Sequence, residues 1–270
     1  MSVFTLRDMA FLVGNQSSVG GDETWTPAEI TTALWLDAAD STTLFDATIG
    51  GSLVVDGGTV RRWEDKSGNS RHATNNTGPT YSAANKKLQF NGFTYLTTSP
   101  GWGNYWELIA VIKFDRTDPF VQLGFKDDFA VAGDFSFGTA IAGYNNNSTF
   151  FYRIRETPSG LSTSLSSEFG ITTRLVGFSS RTTNRGVVYR DGVQRVDFAV
   201  SGGVRPNICL GVNGLEVNSG QGLQGSFSEF ILLPTEADTN TRQKLEGYLA
   251  HKWGLTANLP SHHPYKAVAP

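Results

Sequence analysis

Along most of this chain apolar and polar residues alternate in short runs, and the period changes to a helical one in a single convincing place. Between Arg242 and Leu255, the residues Leu245, Tyr248, Leu249 and Trp253 recur at helical spacing and form one apolar stripe. Asp238, Thr239 and Asn240 stand where an N-cap belongs, and Gly254 stands where a helix would stop. The pattern therefore predicts one amphipathic helix near the C-terminus, which must bury its stripe against strands.

The strand candidates come in chain order. Ala33–Asp37 is the first. Arg61–Trp63 leads into an Asp65-Lys-Ser-Gly-Asn69 turn, and Leu88–Leu96 alternates on either side of an Asn91-Gly92 signal of the hairpin kind. Leu108–Phe114 is apolar on both faces and reads as a central strand. Phe120–Phe125, Phe135–Ala142, Phe150–Arg155 and Leu175–Ser179 follow. Val187–Val196 is a strong hairpin with Asp191-Gly192 as its two-residue turn, and Asn207–Val212 and Gly225–Leu233 complete the set. No fixed-period repeat and no strand–helix alternation is present, which argues against a solenoid or a parallel sheet.

Composition agrees with many short strands and tight turns: 30 of the 270 residues are glycine and 18 are phenylalanine. A net charge of -3 with scattered signs and no basic run points away from nucleic acid. No apolar stretch approaches the ~20 residues that span a bilayer, so no membrane partner is expected. Cys209 is the only cysteine; it sits in the apolar run Ile208–Val212 and reads as a buried, unreactive thiol. Residues 1–29 read as an N-terminal arm. Phe4, Leu6, Met9, Phe11, Leu12 and Val13 form an apolar set followed by a polar, glycine-containing linker, which suits an anchor that docks on another protein. Arg7 and Asp8 interrupt the apolar part, so a secretory signal is not expected there.

Several segments together resemble the concanavalin A-like, laminin-G-like jelly-roll family, in the variant common in bacteriophage and bacterial proteins. They are Ala33-Leu-Trp-Leu-Asp-Ala-Ala-Asp40, Val60-Arg-Arg-Trp-Glu-Asp-Lys-Ser-Gly-Asn69 with Pro79-Thr-Tyr81, Leu88-Gln-Phe-Asn-Gly92, Tyr189-Arg-Asp-Gly192, Gly225–Leu233, Tyr248-Leu-Ala-His-Lys-Trp-Gly254 and His263-Pro-Tyr265. They span residues 30 to 266, and the terminal helix motif is the specific one. The resemblance implies an all-β, two-sheet antiparallel jelly-roll sandwich over residues 30–270, with one C-terminal helix and the N-terminal arm outside it. It implies little about function, because the fold hosts lectins, glucanases and structural modules.

Glucanases of this superfamily carry carboxylates at alternate positions of one strand, and no Glu-x-Asp-x-Glu pattern is present. Glu64 and Asp65 are adjacent and would face opposite ways on a strand; Glu236 and Asp238 lie in the lead-in to the helix; Glu229 is a lone acid on a strand. No catalytic residue and no enzyme activity is expected. A structural calcium would fall to Asp65, Asn69 and Asp191, each of which also has an ordinary turn explanation, so no cofactor and no metal site is assigned. His262 and His263 read as a tail packing back on the domain, and His251 as a boundary position on the helix. For ligand binding the candidates are Trp102, Tyr105 and Trp106 in a glycine-rich connection, with Tyr144 and Asn146 at a second polar tip. The leading expectation is a non-enzymatic bacteriophage virion protein of tail, fibre, baseplate or capsid surface. It would be attached to other virion proteins by the arm, be homo-oligomeric, and become extracellular on lysis. The alternative is a carbohydrate-binding lectin module for cell-surface glycan, or a bacterial surface adhesin.

Overall fold

The computed structural model describes residues 25–99, 106–115, 121–123, 139–143, 149–154, 161–166, 172–183, 185–199, 208–211 and 223–270. In chain order the first strands are β1 (Leu34–Asp37), β2 (Leu44–Phe45), β3 (Arg62–Trp63), β4 (Ala73–Thr74), β5 (Thr80–Ser82), β6 (Lys87–Asn91) and β7 (Leu96–Thr98). Then come β8 (Trp106–Phe114), β9 (Val121–Leu123), β10 (Thr139–Gly143), β11 (Thr149–Ile154) and β12 (Leu161–Ser166). The last are β13 (Thr173–Arg181), β14 (Arg185–Arg190), β15 (Val193–Ala199), β16 (Ile208–Leu210) and β17 (Gln224–Leu233), followed by helix α1 (Thr239–Lys252).

The strands pair antiparallel throughout the described residues. The large sheet runs β15-β14-β13-β8-β17-β6-β5, with β1 also on β17; a second runs β16-β7-β4-β3-β2, and a third β12-β11-β10-β9. The fold is therefore the expected all-β sandwich with one helix near the C-terminus. Strand β8 is central, between β13 and β17, which is why Leu108–Phe114 is apolar on both faces. Its alternate residues Leu108, Ala110, Ile112 and Phe114 join Trp63, Leu96 and Leu210 of the second sheet in the inter-sheet core. Ile109 and Val111 point the other way, into a second core with Leu245, Tyr248 and Leu249 of α1. Around β8 the order is therefore second sheet, large sheet, helix.

A shared strand edge and a helix cap position the buried acid Glu229 and the helix above it. One flank of β17 is shared end to end: β6 pairs with Gln224–Phe227, and β1 pairs with Glu229–Leu232. Between Phe227 and Glu229 the register with β8 slips. Phe227 and Phe230 both face the inter-sheet core across this bulge, so Glu229 is turned towards the helix instead. The helix starts on Asp238, whose carboxylate accepts the Thr241 N–H at 2.8 Å, and ends before Gly254 at φ +67°.

The structure corrects two of the sequence-based expectations. Asn91-Gly92 is not a hairpin turn: β6 pairs with β5 and β17, whereas β7 pairs with β4 and β16. The Asn91 side chain accepts the N–H groups of Phe93 and Thr94, bending the chain out of one sheet and into the other. Trp25, within the span read as the arm, is buried against Tyr248 and its N–H reaches the Pro270 carbonyl at 3.2 Å, so this residue belongs to the body. Residues 1–24 lie outside the described residues. The Asp191-Gly192 hairpin is present as expected, with φ of 50° and 76°.

Candidate functional site

The densest polar chemistry among the described residues lies under the C-terminal turn of α1. Glu229 is fully buried. One carboxylate oxygen accepts the Trp35 indole N–H at 2.8 Å and the Tyr248 hydroxyl at 3.2 Å; the other accepts the Trp253 indole N–H at 2.8 Å. Lys252 Nζ stands 2.7 Å from Glu229 Oε2 and 2.9 Å from Asp37 Oδ2. Asp37 is the cross-strand partner of Glu229, so two carboxylates face the same layer side by side. Lys66 Nζ answers from the other side, 3.0 Å from Asp37 and 3.0 Å from Asp40.

Each piece follows from local sequence. Trp35 and Asp37 are alternate residues of β1, so both face the helix while Leu34 and Leu36 fill the inter-sheet core. Tyr248 and Lys252 are four residues apart on α1 and stack on one face, with Lys252 Nζ 3.0 Å from the Tyr248 hydroxyl. The Asp65–Asn69 turn is held by Asp65, which accepts N–H groups from Trp35, Ser67 and Arg71, while Asn69 donates to the Thr32 and Ala33 carbonyls. That turn sets Lys66 over the Trp35 ring, 4.7 Å from its centroid.

The site is crowded, with Glu229 and Asp37 buried and Lys252, Lys66 and Asp40 partly open to solvent. Burial, and then the neighbouring Asp37 charge, push the Glu229 carboxyl above its ordinary range against the pull of Lys252. Burial works against the Lys66 charge, but Asp37 and Asp40 outweigh it and hold the ammonium above its usual value. The Thr42 hydroxyl, helped by Lys66, holds Asp40 low despite partial burial. Tyr248 is raised by burial and by Glu229 and Asp37.

A second buried acid lies nearer the start of α1. Glu107 on β8 is fully buried and neither carboxyl oxygen has a hydrogen-bond partner of good geometry. Burial pushes it up to about 8; the nearby Ser179 hydroxyl, Arg242 and Arg181 pull it down, and Glu246 pushes it up. Glu246 in turn meets His263 at 3.1 Å, both side chains being buried.

Among the ligand candidates, Trp106 opens β8 and is buried in the inter-sheet core. Trp102, Tyr105, Tyr144 and Asn146 lie outside the described residues. The acids considered for hydrolysis are held by structural donors: Glu64 pairs with Arg62, Glu236 accepts from Thr182, and Asp238 caps α1. Of the calcium candidates, Asp191 accepts the Leu175 N–H and pairs with Arg174, while the Asp65 oxygens are occupied by the N–H groups of its own turn and of Trp35. Among the described residues no group of three or more His, Cys, Asp or Glu is arranged to hold a metal ion. His263 packs back on the domain, His251 Nε2 meets the Tyr265 carbonyl at 2.9 Å, and Cys209 is buried. Sequence reasoning did not single out Asp37, Lys66, Glu107 or Lys252. The one available signal was an acid, Glu229, directly before the apolar run Phe230–Leu233.

An antiparallel sandwich that clamps a terminal helix over a buried acid is the class these features define. No protein-family model matches the chain, and no curated protein matches it. Solved structures do resemble it. A botulinum neurotoxin type C structure, described as interacting with two ganglioside molecules, has a TM-score of 0.53 at 10% identity over 81% of this chain and 51% of that one. The binding domain of Paraclostridial mosquitocidal protein 1 has a TM-score of 0.50 at 9% identity, covering 68% of this chain and 49% of the other. Trypanosoma rangeli sialidase has 0.51 at 14% identity, over 81% of this chain and 32% of the enzyme. The chain thus spans about half the length of the binding-domain structures, and the likeness establishes the sandwich fold.

Proposed function

We propose that this chain is a lectin-like module that binds cell-surface glycan and has no hydrolytic activity towards it. The observation that carries the reading is the shared sandwich over 80–81% of the chain with toxin binding domains, whose descriptions name gangliosides, SialylT and N-acetylneuraminic acid. The absence of hydrolysis is supported by Glu64, Glu229, Glu236 and Asp238, whose oxygens are engaged by structural donors. The expected binding surface is the connection carrying Trp102 and Tyr105 and the tip carrying Tyr144 and Asn146, where aromatic faces beside amides suit sugar C–H faces.

A glycan array that includes gangliosides and sialylated oligosaccharides tests this, run beside a hydrolysis assay on the same glycans and a β-glucan panel. Binding without product is expected, and Trp102→Ala or Tyr144→Ala should weaken it about tenfold. No binding at millimolar glycan, or released sugar, would overturn it. Display of the module on a bacteriophage virion, through an N-terminal arm, extends this reading on the strength of the family resemblance alone. Mass spectrometry of purified particles that finds no stoichiometric copy of the chain removes that extension.

A further inference from the structure

The Lys252, Asp37 and Glu229 constellation holds the parts of an amide-forming centre, and its chemistry is independent of any glycan. Joining an amine to a carboxylic acid needs the two in contact, an acid–base group to relocate two protons, stabilisation of the oxyanion, and little competing water. The Lys252 amine touches the Asp37 carboxyl at 2.9 Å and the Glu229 carboxyl at 2.7 Å. The Glu229 side chain is fully buried and Asp37 nearly so. Two indole N–H groups fix the Glu229 oxygens, and the Ala39 N–H holds Asp37 Oδ1 at 3.0 Å. Lys66 stands against Asp37 Oδ2 at 3.0 Å.

We propose that Lys252 and Asp37 join in an intramolecular isopeptide bond, with Glu229 as the acid and base. Glu229 Oε2, 2.7 Å from Lys252 Nζ, is placed to take a proton from the ammonium. The adjacent Asp37 charge favours the same transfer by opposing a second carboxylate. Lys252 Nζ then adds to Asp37 Cγ. The Oδ1 atom takes the negative charge under the Ala39 N–H, with the Lys66 ammonium polarising the Oδ2 side. Glu229 returns its proton to Oδ2, takes the second amine proton from nitrogen and passes that on to the same oxygen, which leaves as water. A C–N bond forms, a C–O bond breaks, an ammonium and a carboxylate become an amide and one water, and nothing is oxidised or reduced. The link would tie the last turn of α1 to β1 and so seal the helix permanently onto the sandwich.

Intact-mass spectrometry of the full chain under denaturing conditions tests this directly. The expected result is a mass one water below that of the sequence, with a proteolytic digest giving a branched peptide that joins the Asp37 and Lys252 segments. Lys252→Arg keeps the charge but not the primary amine, and should carry the full mass. A wild-type chain of full mass overturns the proposal. So does a deficit that persists in Lys252→Arg, which would place the lost water elsewhere, for example at Asp56-Gly57. Glu229→Gln with a wild-type circular-dichroism spectrum should also carry the full mass, and a closed link in that variant would overturn the assignment of Glu229.

Discussion

Replacing Glu107 by Gln isolates the effect of one buried acid on pH-dependent stability. Glu107 is fully buried, and its pKa is pushed up from 4.5 to about 8, chiefly by burial, with Glu246 adding to the rise and Ser179, Arg242 and Arg181 opposing it. The folded protein therefore keeps a proton that the unfolded chain releases. The stability this confers is complete below about pH 4.5, declines as pH rises through the window up to about 8, and falls no further above it. The largest slope is about 1.4 kcal/mol per pH unit, and the whole window amounts to roughly 3–5 kcal/mol. Glutamine has nearly the same shape as the protonated acid and does not titrate. The variant should lie within about 1 kcal/mol of wild type at about pH 5 and exceed it clearly at about pH 9, with a gap in melting temperature there on the order of 10 °C. Glu229 is raised by burial too, and drives stability the same way in both proteins, so the difference between the curves reports Glu107. Thermal or denaturant unfolding across this range is the assay. Curves that run parallel would show that Glu107 is ionised in the folded state and that the argument from burial fails.

The remaining predictions concern the helix and the tail. Asp238→Ala removes the bonds to the Thr241 N–H at 2.8 Å and hydroxyl at 2.9 Å. It should lower stability by about 1 kcal/mol in urea unfolding, with an unchanged m-value. Gly247→Ala would set a Cβ 2.4 Å from the Tyr265 Cβ, so the tail must move. Hydrogen exchange should speed up in residues 260–270 while β8 and β17 keep their protection; unchanged tail protection would contradict the packing.

What was legible in the sequence was local. Leu245, Tyr248 and Leu249 repeat at helical spacing because they share one buried face, and Asp238 announces the helix start chemically. The Asp191-Gly192 turn and the two-faced Leu108–Phe114 run are likewise written within a few residues. Strands β2 and β4 were not legible as elements, because two residues carry no period. Asn91-Gly92 shows the limit sharply. Turn chemistry says that the chain bends, and the bend is there, but only the partners β5, β17, β4 and β16 decide which sheet each arm joins.

The same limit explains why Glu229 read as a lone acid. Its indole partner in β1 lies 194 residues away, and the bulge that turns it to the helix side has no mark in the sequence around Ser228. Yet the segments that carried the family resemblance are the ones that meet here: the Trp35 and Asp37 strand, the Asp65–Asn69 turn with Lys66, the Glu229 strand, and the helix ending in Tyr248, Lys252 and Trp253. Their common task is to fasten a helix to a sheet across a buried charge network. Removing one member of such a network leaves an uncompensated buried charge, at about 3–5 kcal/mol, so the motif is tightly constrained by folding alone. A motif so constrained can mark the fold strongly while saying nothing of the ligand. Ligand contacts on a sandwich fall instead to its connections, which is the setting the sequence pattern predicts for Trp102, Tyr105, Tyr144 and Asn146.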